Sequence, residues 1–354
     1  VAYFEDVVGL MPVSILADGE ELTLGDWVCP DYPEAGAYEG EYRFETSLPE
    51  GYALSDGGST LTLTVALGGP EGEPVAMLAV SMTKPPQADH TIGGITVYAY
   101  ELSTAAHLYW FANQINTTQQ DISAVLTADI TVNQNVLNAS GGLNSGSFEA
   151  WTPIVTVDHN FSVKFDGQGH TISGLYLNNS NTSNVGLFGI VDSPASIYRV
   201  GVVDSYFAGN QNVGGLCGRA LSDVRIESCY TTATVSGTSN VGTFCGYSNA
   251  NINNCYSAGT VGDSYGKFTG NDGDVDFCYA LSDTNSDGTN DSDLKYRTID
   301  AFKSGEVTYG LTKNQATPSW RQTIGTQDFP QCTTDGDIVY RGKINDVVYY
   351  HNHS

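Results

Sequence analysis

The sequence predicts an all-β chain: a β-sandwich module followed by a right-handed parallel β-helix with a capping helix. Three observations predict it. A glycine-bracketed apolar hexamer recurs as "NVGLFG" from Asn184, "NVGGLCG" from Asn212 and "NVGTFCG" from Asn240. Between its copies runs a second repeat, "IYRVGV" from Ile197, "IESCY" from Ile226, "INNCYS" from Ile252 and "VDFCYA" from Val275. No helical period intervenes, so each unit holds only short strands, as one coil of a solenoid does.

The first module is expected over residues 1–82. Its runs "YRFETSL", "STLTLTVAL" and "PVAMLAVSM" are β-rich, partly alternating and bounded by Gly, Pro and Asp. Residues 1–92 carry 16 acidic and 2 basic side chains, about half of the net charge of the chain. Residues 83–94, "TKPPQADHTIGG", read as a linker on the strength of a Pro pair and a Gly pair.

The β-helix is expected over 95–282, with its capping helix at 102–116, "LSTAAHLYWFANQIN". Ser103 or Thr104 can cap that helix. Leu108, Phe111, Ala112 and Ile115 fall on one apolar face, which Tyr109 and Trp110 widen. Aligning the hexamers puts Phe188, Cys217, Cys245 and Thr269 in one column, with "SYGKFTG" from Ser264 as a worn fourth copy. Aligning the second repeat puts Val200, Cys229, Cys255 and Cys278 in another, spaced 29, 26 and 23 residues. Like residues would then stack ~4.8 Å apart over about six coils, roughly 30 Å in all. Glycines are expected at the corners between faces. Residues 283–354 read as an Asp-rich loop and a C-terminal cap for the far end, with a short helix in "RTIDAFKSGEVTYGL" and a final hairpin in "DGDIVYRGKINDVVYY".

Composition narrows the function. The 354 residues include 40 Asp+Glu against 14 Lys+Arg, a formal charge of −26. Nucleic acid rewards a basic stripe and anionic lipid a basic patch, so neither is expected as a partner. No run approaches the ~20 apolar residues of a membrane-spanning helix, and no membrane insertion is expected. The seven cysteines are an odd number, so at least one is unpaired within the chain. Those in the columns alternate with Val, Phe and Thr, which marks packing slots, and no pair has zinc-ligand spacing. Stacked coils would also allow disulfides. Cys29 and Cys332 lie outside the columns, and their state is left open.

"GLFG", "GLCG" and "TFCG" resemble the GLUG motif of bacterial cell-surface proteins. "STAAHLYWFANQIN", "LTADITVN", "WTPI", "FDGQGHTISGLYL", "NCYSAGTV", "AFKSGEVTYGL" and "WRQTIGTQDFP" extend the resemblance, in that order, to large adhesin-like proteins of gut Firmicutes. The likeness covers roughly residues 100–340. The N-terminal block is similar, more loosely, to the Ig-like modules that precede such solenoids. The resemblance implies an exported protein of the cell surface or cell wall. GLUG repeats also precede the metalloprotease domain of streptococcal-type IgA proteases, but this sequence contains no H-E-x-x-H.

Three groups of residues are candidates for chemistry. β-Helix lyases and glycosidases need paired carboxylates, or calcium with a basic residue, in a groove on one face. Asp166, Asp192, Asp204, Asp223 and Glu227, with Arg199, Arg219 and Arg225, are the available groups, and none recurs in a paired pattern, so no catalytic residues are assigned. His170 in "GQGHT" reads as a turn residue; His90, His107, His351 and His353 show no metal spacing. In "DTNSDGTNDSD", Asp283, Asn285 and Asp287 alternate before Gly288 as in the first half of a calcium loop, and Asp291 and Asp293 could complete the shell. Leu294 stands where an EF-hand has its bidentate Glu, so calcium is a possible cofactor set against a plain exposed turn. Tyr230, Tyr256 and Tyr279 follow the cysteine column and would point outward, as an aromatic row for a glycan or protein or as a flank covered by a loop.

The expected function is that of a secreted or cell-wall-associated, adhesin-like binding protein that engages host glycan, mucin or protein through an exposed β-helix face. Two other readings stay open: a polysaccharide-active lyase or glycosidase, and a non-binding spacer within a larger surface protein such as an IgA-protease-like polypeptide.

Overall fold

The computed structural model describes the backbone of six strands between residues 2 and 83. It then describes residues 84–352 apart from 119–121, 156–163, 263–265, 272, 274, 285, 288–292, 316–318, 334 and 345–346. The chain divides into two compact units, Val1–Pro86 and Gln87–Ser354. In the first, Glu20–Leu22, Met11–Ala17, Thr60–Gly68 and Pro74–Thr83 form an antiparallel sheet in that order, and Ala2–Phe4 pairs with Tyr42–Phe44. Cys29 lies outside the described residues.

The second unit is a parallel β-solenoid of about five turns, one fewer than the repeats predict, because the later coils shorten and do not reach every face. Face A stacks Ala124–Leu126, Lys164–Asp166, Ser196–Tyr198, Arg225–Glu227, Asn251–Asn253 and Val275–Asp276. Face B stacks Ile130–Thr131, Thr171–Ser173, Gly201–Val203, Tyr230–Thr231, Tyr256–Ser257, Cys278–Leu281 and Leu294–Arg297. Face C stacks Tyr176–Asn178, Tyr206–Ala208, Thr234–Ser236 and Thr260–Val261. Gln211–Val213 and Ser239–Val241 pair beyond it. Face D, which closes each coil, stacks Ile154–Val155, Phe188–Val191, Cys217–Ala220 and Cys245–Ser248. The longer ladders are those of faces A and B, in eight-stranded sheets; faces C and D have four strands each.

The core is a set of columns in register. Phe165, Ile197, Ile226, Ile252 and Val275 stack inside face A, each buried to 3% exposure or less. Phe188 pairs with Cys217, Cys217 with Cys245 and Cys245 with Thr269, so the hexamer column holds down to its worn copy. Val200, Cys229, Cys255 and Cys278 are likewise fully buried. The six described cysteines are free thiols in the interior, Cys332 included. Each buried aliphatic side chain contributes ~1.5–3 kcal/mol, and a thiol fills such a slot as a small hydrophobe.

Glycine takes some of the corners, Gly169 and Gly174 at φ 94° and 78° among them, but most are made by non-glycine residues in the left-handed region: Asn184, Asn212 and Asn240 at φ 61°, 56° and 50°, and Arg199, Ser228, Asn254 and Phe277 at 47° to 57°. Asparagine suits that region best of the non-glycine residues. It is also bonded across coils here, Asn212 Nδ2 donating to Asn184 Oδ1 and Asn240 Nδ2 to Asn212 Oδ1, both at 2.8 Å. The hexamer glycines serve close approach instead. A Cβ on Gly218, Gly246 or Gly270 would lie 2.4 Å from the carbonyl carbon of Asn184, Asn212 or Asn240 respectively, so the closing glycine of one coil rests on the asparagine corner of the coil before it.

Residues 87–94 are not a linker. Gln87–Ile92 and Ile95–Leu102 form a hairpin through Gly93 and Gly94 at φ 58° and 82°, the two-residue turn that needs left-handed backbone at both positions. Ile95–Leu102 then pairs with Ala124–Leu126 and starts face A. Helix α1, Ala105–Thr118, begins where Thr104 Oγ1 accepts the His107 N–H at 3.2 Å. It buries Leu108, Trp110, Phe111, Ala112 and Ile115, with Phe111 against Phe165 at 5.9 Å between centroids.

The C-terminal segment does not sit on the far end alone. Gly305, at φ 87°, splits the expected helix into α2, Ile299–Lys303, and α3, Glu306–Thr312. The strap they begin runs along face B. Gln315 Nε2 donates to Ser228 Oγ (3.2 Å), Trp320 Nε1 to Asn254 O (3.2 Å) and Tyr256 Oη to Pro330 O (2.9 Å). The Cys332 carbonyl closes on Gly169, where a Cβ would be 2.1 Å away. Phe302, Val307, Leu311, Trp320 and Cys332 form one cluster with Tyr230, Tyr256 and Tyr279.

Two outcomes follow from this packing. Gly246→Ala must displace the Asn212–Val213 backbone, and a loss of about 2 kcal/mol or more of unfolding free energy in urea is expected, whereas Gly146→Ala, whose Cβ meets only Phe148 at 3.5 Å, should be neutral within ~0.5 kcal/mol. Burial raises the thiols of Cys217, Cys255 and Cys332 above their ordinary value. The folded chain therefore holds these protons after the unfolded chain has released them, so stability is full below pH ~8.5 and falls as pH rises above it. Unfolding titrations between pH 8 and 11 should show that decline, and Cys255→Val, which copies Val200, should make it shallower by up to ~1.4 kcal/mol per pH unit.

Candidate functional site

The solenoid's outer surface is where ligands could reach it, and the chain covers part of that surface itself. Tyr230, Tyr256 and Tyr279 point outward from face B, in register and stacked, with Tyr230 and Tyr256 at 5.0 Å and 15°. They are only 5%, 0% and 4% exposed, because the strap lies on them. The aromatic row is therefore an internal docking surface for the C-terminal segment, which corrects its reading as an open platform. Burial raises all three phenols above the ordinary tyrosine range.

Face C is clamped by the loop at 133–150. Asn133 Nδ2 donates to Gly174 O and Glu149 O, at 2.8 and 2.9 Å. Thr234 Oγ1 donates to Gly141 O at 2.6 Å, and Phe148 meets Tyr176 at 5.3 Å. The Asp204 carboxylate accepts the Val136 and Leu137 N–H groups at 3.2 and 2.8 Å and so anchors that loop.

The other carboxylates are also engaged. Asp166, 2% exposed, accepts Arg199 Nε at 3.0 Å and a second bond from Arg199 Nη2, plus the Gln168 N–H at 2.9 Å. Burial opposes the Arg199 charge, but the hydrogen bond and charge of Asp166 outweigh it and leave the guanidinium above its ordinary pKa. This pair pins the corner between faces A and B. Asp192 accepts the Ser193 N–H at 2.7 Å. Glu227 takes Arg225 Nε at 3.0 Å and Nη2 at 2.6 Å. Asp223 lies on an exposed left-handed turn. His170 Nδ1 lies 3.2 Å from Asp129 Oδ1, at an exposed turn.

The Asp-rich loop is described in part. Asp283 is exposed, Ser286–Asp287 pairs antiparallel with Leu294–Arg297, and the Asp293 carbonyl accepts the Cys278 N–H at 3.0 Å. Asn285 and Asp291 lie outside the described residues. Among the described residues no group of three or more His, Cys, Asp or Glu is placed to hold a metal.

Faces A and D each carry an exposed arginine beside a half-buried tyrosine. On face D the outward column Ile190, Arg219, Tyr247 is in register, and the exposed Arg219 guanidinium lies 5.5 Å from the Tyr247 ring centroid. On face A, Arg225 lies 5.8 Å from the Tyr198 centroid and is flanked by exposed Asn251 on the next coil. Sequence reasoning named the arginines but missed their aromatic partners. The hexamer frame held the signal: Arg219 and Tyr247 each stand directly after the closing glycine of a copy.

Comparison with known proteins agrees with the repeat. The GLUG motif family matches residues 209–236, a span that runs through Gln211–Val213 and the face D strand Cys217–Ala220, then along faces A and B to end on face C. Over 165 residues, 46% of this chain, the sequence is 32% identical to halomucin of Haloquadratum walsbyi, and it spans 2% of that protein's length. No solved structure matches. The chain thus carries a GLUG motif within a parallel β-solenoid and is similar, over nearly half its length, to a small part of halomucin.

Proposed function

We propose that this chain is a module of a secreted or cell-wall-associated, adhesin-like protein whose solenoid binds host glycan, mucin or protein through faces A and D. The observation that carries this reading is the division of the surface. Strap and loop pack on faces B and C, while exposed Arg219 beside half-buried Tyr247 and exposed Arg225 beside half-buried Tyr198 stand on the others. Arg and Tyr dominate binding hot spots because a weakly hydrated planar cation and a rigid aromatic face desolvate cheaply. In a chain of charge −26, exposed arginines also give local attraction for carboxylated or sulfated sugars, as mucin-type glycans carry.

The GLUG motif and the halomucin similarity support a surface-associated setting. Among the described residues no helix is long and apolar enough to cross a membrane. An Ig-like identity for the first unit fits its antiparallel sheet and belongs to the same proposal. Calcium at Asp283, Asn285, Asp287, Asp291 and Asp293 would stiffen the loop that leads into the last rung of face B.

The test is an array of mucin-type and acidic oligosaccharides probed with the whole chain, with and without calcium. Binding is expected, with Arg219→Ala and Arg225→Ala each weakening it about tenfold, the worth of a lost charge-assisted contact. Absence of binding under both conditions would leave the spacer reading in its place, and turnover of an acidic or mucin-type polysaccharide would establish the enzyme.

A further inference from the structure

The C-terminal hairpin pairs Val339–Ile344 with Val347–Asn352 and shares its sheet with no other described strand. One side is committed to the chain. Val339 is 4% exposed, Tyr350 meets Tyr309 at 5.8 Å, and Asn352 donates to Gln322 O at 2.7 Å and accepts the Ile324 N–H at 2.8 Å. The period of two places Tyr340, Gly342 and Ile344, with their partners His351, Tyr349 and Val347, on the other side. There Tyr340 is 38%, Tyr349 39%, Ile344 61% and Val347 67% exposed.

The rings form a surface. A Cβ on Gly342 would lie 2.3 Å from Tyr349 Cζ, so the absent side chain lets the Tyr349 ring lie down across the opposite strand with its other face open. The His351 ring lies 5.4 Å from that of Tyr349, inclined 30°, and 5.9 Å from that of Tyr340, inclined 28°. Three rings therefore tile one side of the hairpin, with the phenol hydroxyls at their rims and His351 Nδ1 3.3 Å from the Asn352 carbonyl oxygen.

We propose that this side of the hairpin is a stacking platform for a neutral saccharide. A pyranose turns a face of C–H bonds, made slightly positive by neighbouring oxygens, toward the negative face of an aromatic ring. Its hydroxyls then meet the rim atoms. Arg341 and Lys343 alternate to the opposite side, so nothing on the platform selects for an anion. The size also favours a small ligand. Six-residue strands about 20 Å long and two strands wide give a strip on the order of 200 Å², against ~800 Å² per partner in a stable protein interface. The platform is separate from faces A and D and does not depend on their binding anything.

The experiment is an array of neutral oligosaccharides probed with the whole chain, followed by titration calorimetry with the best binder and sedimentation velocity. The expected result is binding of at least one neutral saccharide, weakened tenfold or more by Tyr349→Ala and by Tyr340→Ala and unchanged by Arg219→Ala, with the melting temperature of each variant confirming its fold. Should one tyrosine variant fail to fold, the other decides. The proposal is overturned if no neutral saccharide binds, if binding survives both tyrosine variants, or if the chain self-associates and Ile344→Ser makes it monomeric, which would mark a protein interface. Loss of acidic-glycan binding in Arg219→Ala bears on the solenoid faces alone, so the two readings fail separately.

Discussion

Everything in the solenoid depends on how closely one coil can approach the next where the chain turns into face D. Backbone hydrogen bonds fix coil spacing near 4.8 Å, and at that spacing the asparagine corner of one coil sits directly under the closing glycine of its neighbour. A methyl group at Gly218, Gly246 or Gly270 has no room. The left-handed asparagine closes the arrangement from below by passing its side-chain amide to the asparagine of the adjoining coil. Register is set here, and the inward columns of isoleucine, phenylalanine and cysteine follow from it, since a slip by one residue would turn each of them outward.

This division of labour explains what the sequence made legible. Periodicity reports residues that meet their own counterparts, so the hexamer column, the cysteine column and the parallel solenoid could all be read from spacing. The packing role of cysteine could be read too, because Val200, Phe188 and Thr269 occupy the same slots. The strap could not. Its contacts, Trp320 to Asn254 and Tyr256 to Pro330, join a non-repeating tail to a repeating wall, and no local pattern announces them. The same blindness affected Gly93 and Gly94, which look like linker glycines until their partner strand is known. It also affected the tyrosine row, whose outward direction was readable and whose cover by a loop was one of two readings, while the segment that supplies that cover was not readable. At the candidate sites, Arg219 and Arg225 were visible as residues, but their pairing with Tyr247 and Tyr198 exists only once coils are stacked.

Charge is distributed to suit this architecture. The chain carries −26 overall, yet Asp166, the one carboxylate buried among the described residues, is answered by Arg199 through two hydrogen bonds. Such a half-buried pair contributes little net stability, since desolvation of Asp166 offsets the attraction, but leaving the buried carboxylate alone is costly. It therefore discriminates among coil registers more than it strengthens any of them. Among the described residues the other acidic groups are partly or fully exposed, and their repulsion is screened by salt over about 10 Å.

The strap has a consequence for how the molecule comes apart. A bare solenoid is quasi-one-dimensional: each repeat touches only its neighbours, so it can fray rung by rung from either end. Here a single tail reaches Gly169, Ser228, Asn254 and Tyr256, residues on three different coils. Losing any one of these rungs loosens the tail's hold on the rest. Nearest-neighbour coupling thus becomes coupling along the whole stack, and an array that could melt gradually is made to unfold as one cooperative unit.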